Sequence, residues 1–406
     1  MPNSTLEKWE EKTLDEICNF SRGLTYSKKD EVETSNNIVL RANNIDLISN
    51  SLNFDELKYI NSEIIIPEDK KVKINSIMIC ISSGSKSHLG KVAFIDKNYG
   101  YAFGGFMGLI IPNDNILPKF LYYMLISPAF KNLIFNLTDG ANINNLKYSD
   151  LKDFKLNIPP LSEQQRIVKI LDEAFENIEK AKQNALQNLN NAKELFESYL
   201  NNTLKYLENI GEFKQLSTIT EVKDGTHDSP KYVKVGIPFI TQKNIKEGGF
   251  NYITDDTKYI TEEDHNKFYQ RSNVKKNDIL ISMIGANRGM ACIVDIDEIF
   301  SIKNVGLIKE STNIDKYYLL YYLKSNYAKQ YIAEKSKGGA QEFVGLTALR
   351  AFPILYVDVN AQQKIVAQLD ELQEQTKKLE QIYEQKIKDL DELKQSILQK
   401  AFNGEL

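Results

Sequence analysis

The sequence predicts a mixed α/β chain, two similar globular domains separated by two long helices that pack on each other as an antiparallel coiled coil. Three observations predict it: an internal repeat, two long apolar seams at helical spacing, and short strand-like runs at matching places in the two halves. The repeat is the strongest. Gln164-Gln165-Arg166-Ile167-Val168 and Leu171-Asp172-Glu173 recur as Gln362-Gln363-Lys364-Ile365-Val366 and Leu369-Asp370-Glu371. The interval of 198 residues holds without a gap as far as Glu194-Leu195 against Glu392-Leu393. Upstream, Ile79-Cys80-Ile81-Ser82 parallels Ile279-Leu280-Ile281-Ser282, Gly108-Leu109-Ile110 parallels Gly306-Leu307-Ile308, and Tyr122-Tyr123-Met124 parallels Tyr321-Tyr322-Leu323. Two copies are too few for a solenoid, so a pseudo-two-fold particle is expected.

In the second helical segment Leu369, Leu372, Thr376, Leu379, Tyr383, Ile387, Leu390, Leu393 and Ile397 advance by three or four, the spacing of a coiled-coil seam. The first segment offers Leu171, Ala174, Ile178, Ala181, Ala185, Leu189, Ala192, Leu195 and Tyr199. Alanines in one fall where the other has Leu372, Leu379, Tyr383 and Leu390, and large-against-small pairing favours close approach. Pro159-Pro160 gives the first helix a sharp start, with Ser162 expected as its cap and Gln165 completing a capping box. The second start reads Val357-Asp358-Val359-Asn360-Ala361, without the paired prolines. Two surface helices, each packed only on its own domain, are the alternative.

Strands are expected at Ile64–Ile66, Ile77–Ile81, Val92–Ile95 and Phe106–Ile111, and again at Ile237–Ile240, Asp278–Met283, Ala291–Val294 and Asn304–Ile308. A helix should follow each set, near Lys119–Ser127 and Lys316–Ser325, and exposed turns should fall at Ser82–Gly90 and Ile284–Gly289. The expected divisions are a first domain over 1–157, a first helix over 158–206, a second domain over 207–357 and a second helix over 358–406.

Composition sets looser bounds. The chain has 406 residues, 42% hydrophobic and 26% charged, as expected of a soluble globular protein. Its polar start, Met1 to Glu10, has no apolar run typical of a signal peptide, and runs such as Ile77–Ile81 are too short to span a bilayer. Cys18, Cys80 and Cys292 lie far apart, at neither metal-ligand nor disulfide spacing, so a reducing cytoplasm is expected. Abundant Asn, Lys and Ile suggest an AT-rich bacterial genome. Net charge is −4, and the segments 1–157, 158–204, 205–357 and 358–406 carry −1, −2, +2 and −3. Bulk charge therefore does not point to nucleic acid, and any basic surface must come from local clustering.

Several segments are similar to the specificity subunits of type I restriction–modification systems. Thr138-Asp139-Gly140-Ala141, Leu146, Asp150-Leu151 and Ile158-Pro159-Pro160-Leu161-Ser162-Glu163-Gln164 resemble that family's boundary between recognition domain and conserved helix. Leu40-Arg41-Ala42-Asn43-Asn44-Ile45 resembles its early strand-and-turn motif. Asp224-Gly225-Thr226-His227, Gly236-Ile237-Pro238-Phe239-Ile240 and Lys243-Asn244-Ile245 resemble the same region in the second half. The resemblance implies a DNA-binding chain without chemistry of its own. Each target-recognition domain would read one half of a split double-stranded target, and the helices would set the unread spacer. It also implies two methyltransferase subunits using S-adenosylmethionine, and two restriction/translocase subunits that can join with ATP and Mg. No cofactor or metal is expected on this chain, which should work in the bacterial cytoplasm on the nucleoid, away from membranes.

Base reading needs Arg, Lys, Asn, Gln, Ser or Thr on loops that enter a groove. Candidates are Arg41, Asn43, Asn44, Ser85, Lys86 and His88 in the first half. In the second they are Thr226, His227, Gln242, Lys243, Asn244, Asn287 and Arg288. For packing between the helices the candidates are Leu171, Ala174, Ile178, Ala181, Ala185, Leu369, Leu372, Leu379, Tyr383 and Leu390. Catalytic signals fail on inspection. Ser82–Val92 approximates a phosphate loop, but five residues separate Gly84 from Gly90 and Val92 stands where Ser or Thr is required. Phe103-Gly104-Gly105-Phe106 reads as close strand approach, the only Pro-Pro is followed by Leu161 rather than an aromatic residue, and Glu68-Asp69-Lys70 reads as a solvated charge run. The three histidines have no Cys or His at metal spacing. Two other classes stay open: a coiled-coil scaffold that binds only protein partners, and an enzyme with an unfamiliar site.

Overall fold

A computed structural model describes residues 9–85, 88–138, 145–246, 249–336 and 342–406. The expectations at Met1–Lys8, Lys86, Ser87 and Asp139-Gly140-Ala141 lie outside the described residues. The chain divides into two compact units, Met1–Ala185 with Gln385–Leu406, and Leu186–Glu384.

Unit 1 runs β1 (Glu10–Thr13), α1 (Leu14–Ile17), β2 (Cys18–Arg22), β3 (Glu31–Val32), β4 (Asn37–Leu40), β5 (Lys58–Ile60), β6 (Ile77–Cys80), β7 (Val92–Phe94), β8 (Ala102–Phe103) and β9 (Met107–Pro112). Then come α2 (Pro118–Leu125), α3 (Pro128–Thr138), α4 (Tyr148–Lys152), β10 (Lys155–Ile158) and the long α5 (Leu161–Leu207). One antiparallel sheet has the order β2-β9-β6-β7; a second, β3-β5-β4-β8, contains a parallel β4–β8 pair. β6 is apolar at every position and wholly buried, because both of its faces are covered. Ile64–Ile66 does not form the expected strand. Asn37 Nδ2 donates to the carbonyls of Asn61 and Ile64, at 3.0 and 2.9 Å, and holds the segment as a turn.

Unit 2 repeats the plan with β11 (Glu212–Gln215), α6 (Leu216–Ile219), β12 (Val222–Asp224), β13 (Ile237–Ile240), β14 (Ile245–Lys246), β15 (Gly249–Phe250) and β16 (Lys258–Ile260). It continues with α7 (Glu262–Ser272), β17 (Ile279–Ser282), β18 (Ala291–Ile293), β19 (Ser301–Ile302), β20 (Val305–Ile308), α8 (Lys316–Lys324), α9 (Asn326–Lys335), α10 (Leu346–Arg350), β21 (Pro353–Tyr356) and α11 (Val359–Phe402). Its sheets are β12-β20-β17-β18 and β16-β13-β19, with β13–β19 parallel. α7 is the main addition: unit 1 has a turn and one 3₁₀ turn between β5 and β6.

Strand pairing corrects the register of the repeat. Ile77 pairs with Ile110 and Ile279 with Ile308, so Ile77–Cys80 corresponds to Ile279–Ser282, two residues from the match read by composition. Likewise Tyr123, not Tyr122, corresponds to Tyr321, since each donates its hydroxyl to the aspartate of the following long helix, Asp172 or Asp370. Apolar runs look alike when slid by one or two residues; hydrogen-bonded partners do not.

Each domain is fastened to its helix in the same way. Paired terminal strands (β1–β10 and β11–β21) bring both ends of the domain to one ribbon. Directly beyond, a glutamine that is almost wholly buried (Gln164, 1% exposed; Gln362, 0%) closes the junction. Gln164 Oε1 accepts from Leu117 N at 2.8 Å and its Nε2 donates to Pro159 O at 2.9 Å. Gln362 accepts from Asp315 N and donates to Val357 O, both at 2.7 Å. Two turns on, Asp172 takes Tyr123 and Lys119, and Asp370 takes Tyr321. At the helix starts, Pro160 O accepts from Glu163 N and Gln164 N, so α5 begins one residue before Ser162, which lies inside the first turn and does not cap it. The second helix replaces the paired prolines with Asp358, whose Oδ1 accepts from Ala361 N at 3.0 Å.

Within unit 1 the end of α11 lies antiparallel along the start of α5. Arg166 donates to Leu406 O, Lys394 sits 5.1 Å from the Phe175 ring, and Lys182 pairs with Asp391 at 2.6 Å. Within unit 2, Leu200, Leu204 and Leu207 of α5 share a core with Ile365, Val366 and Leu369 of α11. Of the seam candidates, Leu171, Ile178, Ala185 and Leu369 are buried, and Ala174, Ala181, Leu372, Tyr383 and Leu390 are half-buried. Leu379, Leu393, Leu195 and Tyr199 turn outward, while Phe196, Leu200 and Leu398 face inward. A straight helix with 3.6 residues per turn drifts about 20° per heptad from a strict 3.5 repeat, and over these lengths the seam moves by one residue.

Gln164→Ala strands the Leu117 N–H and Pro159 C=O in the core. Unit 1 should lose about 1–3 kcal/mol per stranded group in urea unfolding, whereas the exposed Gln165→Ala should stay within about 0.5 kcal/mol. Equal losses would remove the junction role of Gln164.

Candidate nucleic-acid interface

In each unit three loops meet at a corner built on glycine. β2 ends at Arg22 and turns through Gly23-Leu24-Thr25; β12 ends at Asp224 and turns through Gly225-Thr226-His227. A Cβ at Gly23 would lie 2.1 Å from Gly104 O, and one at Gly225 would lie 2.2 Å from Ile302 O. Only glycine allows this approach, which is sealed by Leu24 N donating to Phe103 O at 2.7 Å and Thr226 N donating to Ile302 O at 3.0 Å. The turn after β4 or β13 forms the second loop, tied by Gly104 N to Leu40 O and by Lys303 N to Ile240 O, each at 2.9 Å. The third follows β6 or β17. In unit 1, Ile81 N and Ser82 N both donate to Phe106 O, at 3.0 and 3.1 Å.

The candidates divide sharply by environment. Asn44 and Asn244 are buried and fully used. Asn44 Oδ1 accepts from Arg41 N, and Nδ2 donates to Asn53 O and Glu56 O; Asn244 Oδ1 accepts from Thr241 N, and Nδ2 donates to Asn251 O and Tyr252 O. They hold the second loop from inside and leave no polar atom for a base. Thr226 is also buried, its Oγ1 accepting from Asp228 N at 3.1 Å. Arg288 is engaged within its own loop region: Nε donates to Ser336 Oγ, Nη1 to Gly285 O, and Nη2 to Glu342.

The other candidates lie on or near the surface. Arg41 is half-buried, and its Nε has no hydrogen-bond partner. Asn43 is exposed and donates to Glu56 at 3.2 Å. Ser85 is exposed beside half-buried His88, whose pKa burial holds below the usual histidine range, helped by Lys91. Lys243 is exposed and paired with Asp256 at 2.9 Å, Gln242 sits 3.4 Å from Ser282 Oγ, and Asn287 is exposed at the third loop. The His227 ring is exposed, yet its nitrogens stand 2.7 Å from Asn304 Oδ1 and 3.1 Å from Asp224 Oδ2. Asp224 is buried and gripped by Arg271 through Nε and Nη2, at 2.8 and 2.9 Å.

Arg22, Phe106, Arg271 and Asn304 therefore belong to these corners although nothing in the candidate list named them. The signal was Arg22-Gly23 standing where the second half has Asp224-Gly225, visible only once the register of the repeat is right. The two corners share most of their backbone, with one residue more in unit 1 between β8 and β9 than in unit 2 between β19 and β20, and differ in chemistry: Arg22, Thr25, Arg41 and Phe106 in unit 1 take the places of Asp224, His227, Thr241 and Asn304 in unit 2. Among the described residues no three His, Cys, Asp or Glu side chains gather to hold a metal ion, and no helix is long and apolar enough to cross a membrane.

Fold and corners together define a duplicated α/β protein whose two units carry different side chains on a similar frame. The type I restriction modification DNA specificity domain matches the chain twice, over residues 6–188 and 208–389, and the chain belongs to that family. It is 24% identical over 423 residues to the type I restriction enzyme EcoKI specificity subunit of Escherichia coli (strain K12), covering 98% of this chain and 89% of the relative. To the StySPI specificity subunit of Salmonella potsdam it is 23% identical over 433 residues, with the same coverage. In fold it is similar to a solved chain of a type I R-M system (TM-score 0.75, 17% identity, all of both chains). It is also similar to the HsdS subunit from Thermoanaerobacter tengcongensis (TM-score 0.59, 17% identity, 100% of this chain and 99% of that one).

Arg288→Ala should loosen the third loop of unit 2, so that hydrogen exchange of the Gly285–Gly289 amides quickens, while Asn287→Ala should leave it unchanged. Unchanged exchange in Arg288→Ala would mean that its three bonds do not hold the loop.

Proposed function

We propose that this chain is the DNA-reading subunit of a type I restriction–modification complex and carries no catalytic chemistry itself. Each unit reads one half of a bipartite double-stranded target through its glycine corner, and the paired helices set the spacer. The observation that carries this reading is the duplicated corner: one backbone, held by Gly23 or Gly225, presents two different sets of side chains. Two half-sites of different sequence need that arrangement. A scaffold that binds only protein partners does not, and the family match over both units favours DNA.

The partners follow from the same reading. Two methyltransferase subunits bring S-adenosylmethionine, and two restriction/translocase subunits bring ATP and Mg chemistry, on the nucleoid in a bacterial cytoplasm. Specificity then lives in groups at or near the surface: Ser85 and His88 in unit 1, and His227, Lys243 and Asn287 in unit 2. Phosphate contacts from neighbouring cations position the protein on the duplex, and base-edge contacts discriminate.

The purified chain with S-adenosylmethionine and DNA should give no methyl transfer, and adding cognate methyltransferase should methylate one two-part sequence. Turnover by the chain alone would overturn the reading. In the assembled complex Asn287→Ala should cost about 1–3 kcal/mol of discrimination at one half-site and nothing at the other. Methylome mapping reports both halves at once, and equal relaxation of both would exclude Asn287 from base reading.

A further inference from the structure

Phe106 is a large apolar side chain that the fold holds in solvent, 69% exposed, at the centre of the unit 1 corner. Its backbone is fixed on every side. Its carbonyl takes the N–H groups of Ile81 and Ser82, Met107 N donates to Gly104 O at 2.8 Å, and the preceding Gly104 and Gly105 lie against the Gly23–Thr25 turn. The ring therefore stands out from a rigid platform rather than from a mobile loop. Two arginines flank that platform. Arg22 Nε points at Gly105 O at 3.4 Å, and Arg41 Cγ lies 3.9 Å from where a Cβ on Gly104 would sit, with Arg41 Nε left without a partner.

An exposed phenyl ring on a platform that Arg22 and Arg41 abut is a poor surface for water. It suits a polyanion that also carries an apolar group. In duplex DNA the groove walls present one such group, the 5-methyl of thymine, which lies in the major groove. We propose that Phe106 is a specificity-determining residue of unit 1 whose ring packs on a thymine methyl, with Arg22 and Arg41 drawn to the flanking phosphates. The proposal rests on the DNA-reading function argued above. It assigns the contact to one half-site only, because the equivalent position of unit 2 is the polar Asn304.

The test uses the complex assembled with its methyltransferase and the mapped target, in which each thymine of both half-sites is replaced in turn by deoxyuridine. Deoxyuridine keeps the pairing and removes only the methyl. Binding by the wild-type complex should fall about fourfold at one thymine of one half-site, the ratio given by roughly 0.8 kcal/mol for one buried methyl group. Phe106→Ala should bind the thymine and deoxyuridine versions equally and keep its discrimination at the other half-site. A wild-type complex that prefers its target yet ignores every deoxyuridine overturns the proposal, as does an Ala variant with the same sensitivity. Brightening of 2-aminopurine in that half-site that the wild-type complex causes and Phe106→Ala abolishes would mean that the ring inserts between bases, and would also overturn it. A wild-type complex that does not prefer its target over scrambled DNA overturns the DNA-reading function itself.

Discussion

Two buried glutamines, Gln164 and Gln362, hold the arrangement on which everything else depends. Each stands where a domain becomes a helix, and each satisfies a backbone donor of the domain and a backbone acceptor of the junction. A buried amide with all its bonds made is directional in a way that apolar packing is not, because sliding the helix by one residue would strand several polar groups at once. With Asp172 and Asp370 two turns further on, this gives each domain two fixed points on its helix. α5 has 47 residues and α11 has 44, so the rods run to about 70 Å and 66 Å at 1.5 Å per residue. A domain welded to such a rod inherits its register.

Within that frame the corners are free to vary. The glycines at 23 and 225 fix the backbone path by steric exclusion, and the buried Asn44 and Asn244 brace the adjoining turn from inside. The side chains that point outward from the same backbone then have little effect on folding. One scaffold thus carries an exposed phenyl ring near two arginines in one unit, and in the other an exposed histidine joined to Asn304 and to the buried Asp224. The shared positions hold the fold, and the divergent ones set the two corners apart.

The repeat and the long helices were legible in the sequence because gapless identity and heptad spacing are one-dimensional signals. The register of the strands was not, since Ile79–Ser82 resembles Ile279–Ser282 more closely than Ile77–Cys80 does, and only pairing with β9 shows which one corresponds. The seam was readable to within one residue, and its drift placed Leu195 and Leu393 outside. Candidate base-reading residues were chosen by side-chain type, which cannot tell exposed Asn43 from buried Asn44, or an uncommitted arginine from Arg288 with its three internal bonds. Phe106 escaped because apolar residues are expected inside, and the strand pattern alone placed it in a strand.

The central claim is that helix length, through these junctions, sets the distance between the two half-sites. Four residues inserted into each helix, after Ala185 in α5 and after Glu384 in α11, lie between the two units and leave both junctions intact. They add about 6 Å to the rods, close to the rise of two base pairs. Methylome mapping of that variant should show both half-site sequences unchanged and the spacer longer by about two base pairs. Full methylation at the original spacing would contradict the account.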